Sequence, residues 1–374
     1  MGRWPAVRIG DLATVRSGFA FKSSDWRDSG IPVVKIANIK EGNLDMNGCS
    51  HVSFATARQS RDCRLVTGDI LVAMTGYIGD TAFVRPTDLP ALVNQRVGKF
   101  TIADESLLHR RFFFYALRSN AVRTAIESLG YGSAQPNVSP ALIHQVTMPL
   151  PPLSEQRAIA EVLGALDDKI EANRRIVSLC WSLATAYFEA AIATSERLVP
   201  LSSLLKLDYG KALPAGARRP GTTPVYGSGG IVGQHDEPLV IGPGVIVGRK
   251  GTAGSVYWSH RAFFPIDTTF YVSHASVPMV FAYFALRSLG LDNMNSDSAV
   301  PGLNRNTAMS QLVPLPGDED LARFRRRAEV LVDAAEATAS EIYALEALRD
   351  VLLPELVSGE LRVREAEAQI EEAG

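Results

Sequence analysis

Cysteine is scarce in this chain. Cys49, Cys63 and Cys180 are the three present in 374 residues, an odd number with no Cys-x-x-Cys spacing. That argues against a disulfide framework and against a cysteine zinc site, and it suits a reducing compartment, so a cytoplasmic location is expected. Long apolar runs are missing as well. None approaches the roughly 18 to 20 residues that span a bilayer, and the opening stretch MGRWPAVRIGDLATV lacks an apolar signal core, so no membrane partner is expected.

Recognisable catalytic constellations are also lacking. There is no Gly-x-x-x-x-Gly-Lys-Ser/Thr phosphate loop, no Gly-x-Ser-x-Gly elbow and no Asn/Asp-Pro-Pro-aromatic run. The glycines of YGSGGIVGQ, at 227, 229, 230 and 233, miss the Gly-x-Gly-x-x-Gly spacing, and the stretch reads as a tight turn between short strands. The six histidines show no pair at metal-ligand spacing on a helix. A binding protein without catalytic residues, metal or cofactor of its own is the expectation. A DNA-modifying enzyme with an unrecognised site and a coiled-coil adaptor remain as alternatives.

What is present is a repeat. FYALRS at 114 to 119 returns as YFALRS at 283 to 288. Downstream, SAQPNVSPALIHQVTMPLP (133 to 151) matches SAVPGLNRNTAMSQLVPLP (298 to 316); upstream, DILVAMTGYIGDTAF (69 to 83) matches GVIVGRKGTAGSVYW (244 to 258). Three anchors in one order, at offsets of 175, 169 and 165 residues, indicate a duplicated domain rather than a short solenoid unit.

Charge follows the same division. The net charge of −2 conceals 17 Lys+Arg against 12 Asp+Glu in residues 1 to 153 and 9 against 6 in residues 199 to 317. Residues 154 to 198 carry 5 against 7, and residues 318 to 374 carry 7 against 15. The repeats are mildly basic and the segments after them acidic.

Those acidic segments read as long helices. In the first, Ile159, Leu163, Leu166, Ile170, Asn173, Val177, Cys180, Ala184 and Tyr187 recur at alternating steps of four and three. Ser154 suits the N-cap and Glu155 the positive end of the helix dipole. The second repeats the alternation at Leu321, Phe324, Ala328, Leu331, Ala335, Thr338, Ile342 and Leu345, with Pro354 expected to end it. Helices over 154 to 195 and 320 to 353 would extend ~60 and ~50 Å at 1.5 Å per residue. Their seams most simply bury against each other, although packing on each domain or self-association would also cover them.

The repeats themselves read as mixed α/β. PVVKIANI, DILVAM, TPVYG, GVIVGRK, AGSVYW and TTFYVSH predict strands; SLLHRRFFFYALRSNAVRTAIESL and PMVFAYFALRSLG predict one helix each. The expected architecture is α/β (α+β), two mixed domains alternating with two long helices in an antiparallel coiled coil: 1–151, 152–196, 197–317 and 318–374.

Polar and aromatic residues gather in the intervening loops, and Arg, Asn, Gln and Lys are the side chains that read guanine and adenine edges in the major groove. The candidates for DNA contact are Lys35, Asn38 and Lys40; Asn94, Gln95 and Arg96; Tyr131, Gln135 and Asn137; Tyr226 and Ser228; Arg249, Lys250 and Thr252; Asn304 and Arg305. The Gly-x-x-Gly turns at Gly76 to Gly79 and Gly251 to Gly254 serve either as tight turns or as phosphate-approaching loops.

PLPPLSEQRAIAEVLGALDDKI (149 to 170) resembles the motif that opens the central conserved helix of specificity (S, HsdS-type) subunits of Type I restriction-modification enzymes. IPVVKIANIKEGNLD, TPVYGSGGIVGQHDEPLVIGPGVIVGRKGTAGSVYW and LLPELVSGELRV are similar to other parts of that family, while PLPGDEDLARFRRRAEVL departs from the first helix's opening. The resemblance implies two target-recognition domains, each reading half of a bipartite asymmetric site in double-stranded DNA. It also implies two modification (methyltransferase) subunits, which hold the S-adenosylmethionine and dock on the conserved helices, and restriction (translocase-nuclease) subunits in the full complex. Glu155, Gln156, Ile159 and Leu163 are the docking candidates.

Overall fold

A computed structural model describes residues 4–130, 137–193, 195–294 and 302–363. Tyr131 and Gln135 lie outside the described residues. The chain forms two compact units: residues 1–171 with 344–374, and residues 172–343.

In the first unit, strands β1 (Ala13–Ser17), β2 (Ile70–Ala73), β3 (Thr81–Phe83) and β4 (Val97–Ile102) form an antiparallel sheet in the order β1-β4-β2-β3. All four residues of β2 are buried, as a strand covered on both faces requires. A second sheet pairs Ile31–Val34 in parallel with Leu92–Val93 and antiparallel with Ser50–Val52. The sequence predicted one helix where the structure has two, α1 (Arg110–Arg118) and α2 (Asn120–Ser128). The break falls at Ser119, whose ψ of 142° is extended and whose Oγ donates to the Ala116 carbonyl at 2.7 Å. A serine can satisfy backbone groups locally, and so it competes with helix continuation there.

Helix α1 is buried from Phe112 to Leu117, with Phe113 edge-on to Phe100 at 5.0 Å. Against it lie the start of α3 (Leu153–Ile192) and residues 344 to 358 of the last helix. Ile159, Leu163, Leu166, Leu352, Leu356 and Val357 share its core. Within that core sits one ionic group. The Tyr115 hydroxyl donates to Asp167 Oδ2 at 2.7 Å, and Arg349 Nη1 donates to Asp167 Oδ1 at 3.0 Å. Arg118 lies 3.9 Å from the same carboxylate.

The second unit repeats the plan. Strands β5 (Leu205–Tyr209), β6 (Gly244–Gly248), β7 (Val256–Ser259) and β8 (Thr269–Ala275) run in the order β5-β8-β6-β7, and Thr223–Gly227 lies parallel to Phe264–Pro265. YGSGGIVGQ is the predicted turn, joining Thr223–Gly227 to Gly230–His235 in a hairpin. Helix α4 (Met279–Ser288) buries Phe281, Phe284 and Ala285 as α1 buries Phe112, Tyr115 and Ala116. Here the core is aromatic: Phe188 of α3 stacks on Phe284 at 5.8 Å, and Phe324 of α5 (Asp318–Ser358) meets both edge-on.

Both seams are thus used. In the first unit the start of α3 lies with the end of α5, and in the second the end of α3 lies with the start of α5, which makes the pairing antiparallel in each. The two helices cover each other and close their domains' cores together. One expectation fails: α5 continues through Pro354 to Ser358. Proline removes a single backbone donor and crowds one carbonyl, and burial of Leu352, Leu353, Leu356 and Val357 offsets that loss. Gly359, with φ +79°, follows the last helical residue, as a left-handed glycine ending does.

Candidate nucleic-acid interface

Each unit gathers three loops at one end of its antiparallel sheet. In the first, the Met74 N–H donates to the Arg96 carbonyl at 3.1 Å and the Val138 N–H to the Met74 carbonyl at 2.9 Å, while Thr75 bridges Asn137. The loop between β2 and β3 turns on Gly76 (φ +68°) and Gly79 (φ +88°), values that disfavour a side chain. These ties consume backbone groups; Met74, Thr75 and Val138 stay buried, while Gln95, Arg96 and Asn137 are exposed. Ser17, Thr75, Gln95, Arg96 and Asn137 line an open concavity of about 720 Å3.

The second unit makes the same ties. The Arg249 N–H donates to the Thr268 carbonyl at 2.9 Å, the Leu303 N–H donates to the Arg249 carbonyl at 2.9 Å, and Lys250 bridges Gly302. Gly251 (φ +79°) and Gly254 (φ +87°) occupy the places of Gly76 and Gly79. Gly79 donates to the Ala73 carbonyl at 3.1 Å, and Gly254 to the Gly248 carbonyl at 2.8 Å. Ser228 and Thr252 come together here: Gly251 lies against Ser228 Oγ, and Gly229 against Thr252 Oγ1. The Gly-x-x-Gly stretches are therefore tight turns that fix where their neighbours point.

Several predicted readers turn out to hold the loops in shape. Asn38 is 7% exposed; its Oδ1 accepts from the Lys35 N–H at 2.9 Å and its Nδ2 donates to the Asp45 carbonyl at 2.9 Å. Asn304 caps the short helix Arg305–Met309, accepting from the N–H groups of Asn306 and Thr307. Asn94 accepts from the Arg96 N–H at 3.3 Å. Tyr226 is buried, edge-on to Phe263 at 5.8 Å, and burial pushes its hydroxyl pKa up. Asn38 and Tyr226, as buried side chains, cannot reach a base edge without opening the fold.

Lys35 and Lys40 form a separate group. Lys35 Nζ donates to Ser50 Oγ at 2.7 Å and lies 3.9 Å from the Trp26 ring centroid. Exposed Lys40 pairs with Asp45 at 2.7 Å, and its hydrogen bond, with that of the Asn47 N–H, holds the carboxyl below the usual range.

Residues 1–178 match the family model of the Type I restriction modification DNA specificity domain. They belong to that family. Curated relatives include the Type I restriction enzyme MjaVIII specificity subunit of Methanocaldococcus jannaschii, 30% identical over 46% of this chain and 41% of the relative. The EcoBI specificity subunit of Escherichia coli is 26% identical over 51% of this chain and 38% of its own length. The matched region thus spans about two fifths of these relatives. Over 95% of this chain and 96% of the other, the fold is shared with the Type-I restriction-modification system S subunit from M. genitalium, with a TM-score of 0.66 at 18% identity.

Within the specificity domain, three of the four docking candidates serve its interior. Gln156 is 1% exposed; its Oε1 accepts from the His109 N–H at 2.8 Å, and its Nε2 donates to the Leu107 and Pro151 carbonyls, both at 2.9 Å. It pins the start of α3 to the loop before α1. Ile159 and Leu163 are 1% and 0% exposed, so neither offers surface to a partner, and only Glu155 is partly open, 3.5 Å from Arg362. Sequence reading missed Tyr209, the exposed last residue of β5. Aligning Gly210 with Gly18 finds it: both glycines donate to the equivalent strand carbonyl, Gly210 to Thr269 and Gly18 to Val97, so Tyr209 occupies the place of Ser17.

Among the described residues no group of three His, Cys, Asp or Glu side chains could hold a metal ion, and no helix is long and apolar enough to cross a membrane.

Proposed function

We propose that this chain is the DNA-recognition subunit of a Type I restriction-modification complex. Each unit reads one half of a bipartite asymmetric site in double-stranded DNA, and α3 and α5 set the unread spacer and dock the partners. The observation that carries this reading is the repeated loop cluster: two units with the same backbone ties present different side chains, Gln95, Arg96 and Asn137 in one and Ser228, Lys250 and Thr252 in the other. The ties fix the loops, and on a duplex it is contacts to phosphates that position a protein and side chains reaching base edges that specify the sequence.

The chain performs no chemical step in this reading. Two modification subunits methylate adenine and hold S-adenosylmethionine, and restriction subunits complete the assembly in the cytoplasm. The docking surface is moved from the buried candidates to Ile176, Leu179 and Leu183 of α3, which recur at steps of three and four and are 44%, 67% and 43% exposed.

The test is modification mapping of a host genome with and without this gene, beside a modification subunit. Methylated adenines in one bipartite motif are expected to vanish on deletion. Unchanged methylation would overturn the proposal.

A further inference from the structure

The second unit's loop cluster holds an arrangement without a counterpart among the described residues of the first. Both the Arg249 and Arg305 guanidinium carbons lie 5.1 Å from the centroid of the Tyr209 ring. Tyr209 is 49% exposed and itself rests on Phe270, ring centroids 5.0 Å apart, so the platform is fixed from beneath. Each arginine is steadied by one neutral acceptor: Arg249 Nη1 donates to the Asp267 carbonyl at 2.9 Å and Arg305 Nη1 to the Leu207 carbonyl at 3.4 Å. Among the described residues neither guanidinium has a carboxylate at ion-pair distance, and nearby Asp208 is engaged with Lys206 at 2.9 Å. Exposed Lys250 adds a third cation next to Arg249.

The equivalent positions of the first unit, fixed by the shared backbone ties, are Ser17 for Tyr209, Met74 for Arg249, Thr75 for Lys250 and Pro140 for Arg305. None is charged; Arg96, on a different loop, is the cation there. Two guanidinium groups over one aromatic ring, neither in an ion pair, present N–H donors in a fixed fork, a geometry that matches phosphate oxygens. We infer that Tyr209, Arg249 and Arg305 form a backbone-phosphate clamp, so that the second unit supplies more of the electrostatic binding to duplex DNA than the first. This rests on the DNA-recognition reading above. Tyr209 is a positioning residue; the arginines make the contacts.

The experiment measures duplex affinity against salt for the full chain in complex with its modification subunits, on DNA carrying the mapped motif and on unrelated DNA. Each phosphate contact contributes about 0.9 to the slope of log K against log salt, or roughly tenfold in affinity near 0.1 M salt. R249Q/R305Q is expected to flatten the slope by about two, with the same fold loss on both DNAs, while R249K/R305K restores most of the slope. Tyr209→Leu is expected to lose part of it and Tyr209→Phe none. R219Q, at an arginine already paired with Asp236 and Glu237, leaves the slope in place.

A slope unchanged in R249Q/R305Q overturns the clamp. So does a loss confined to motif DNA with a changed half-site, which would make the arginines base readers. A wild-type complex that binds no duplex would instead sink the DNA-recognition reading, and the clamp with it.

Discussion

Asp167 shows how one residue divides the two units. In the first, it is buried with Arg349 and Tyr115; at the positions 165 residues away along the repeat stand Val332 and Ala184, both buried in the second unit's apolar core. Removing one member of a buried ion pair strands the other, at a cost of roughly 3 to 5 kcal/mol. Arg349→Met should therefore destabilise the first unit by about 3 kcal/mol, since Arg118 remains near the carboxylate, and faster hydrogen exchange across residues 112 to 117 would report it. Burial, reinforced by Asp167, lifts the Tyr115 hydroxyl above the ordinary phenol value of 10.0. The folded state then keeps a proton that the unfolded chain releases, so this stability is complete below about pH 10 and is lost as pH rises further. Tyr115→Phe should lower stability at neutral pH and lessen its decline under alkali, as measured by urea denaturation at pH 8 and above pH 10. None of this was legible beforehand, because nothing in the spacing of Tyr115, Asp167 and Arg349 marks them as partners. Asn38 and Gln156 misled in the opposite sense, because an amide that ties a loop looks, in sequence, like one that reads a partner.

At the scale of elements, the loops came through best. The Gly-x-x-Gly turns were visible because only glycine adopts positive φ without strain. Their neighbours decide how much each matters. A Cβ on Gly254 would come 2.2 Å from the Asp292 backbone nitrogen, whereas on Gly251 it would meet Ser228 Oγ at 3.3 Å. Gly254→Ala should thus lower the second unit's melting temperature by several degrees, and Gly251→Ala by less, in a calorimetric comparison of the two. The short edge strands β1 and β5 escaped notice, since ATVRS and LKLDY offer too few residues for alternation to stand out. The seams were legible by period, but period alone did not reveal that their N-terminal ends were already occupied by domain cores. Leu179→Glu, on the exposed stripe of α3, should leave folding intact and reduce co-purification with modification subunits at least tenfold; wild-type recovery would place docking elsewhere.

For the whole molecule, the duplication indicated two domains, the alternation of four and three gave the two helices, and PLPPLSEQRAIAEVLGALDDKI carried the family resemblance. The identities of the bases do not follow, because readout depends on a few exposed side chains that neither period nor composition constrains. Exchanging residues 197–317 for those of a relative should change one half-site alone, as methylation mapping would show. Adding one heptad to both α3 and α5 lengthens each by about 10 Å and should widen the spacer by about three base pairs while leaving both half-sites as they were. Duplication also carries a hazard. One helix pair with two similar ends invites each end to settle in the other's berth. An Asp167 side chain placed where Val332 belongs would enter an apolar core in which Ala184 stands at the position of Arg349. The buried charge thus acts as an address, making the wrong pairing of two similarly built halves costly.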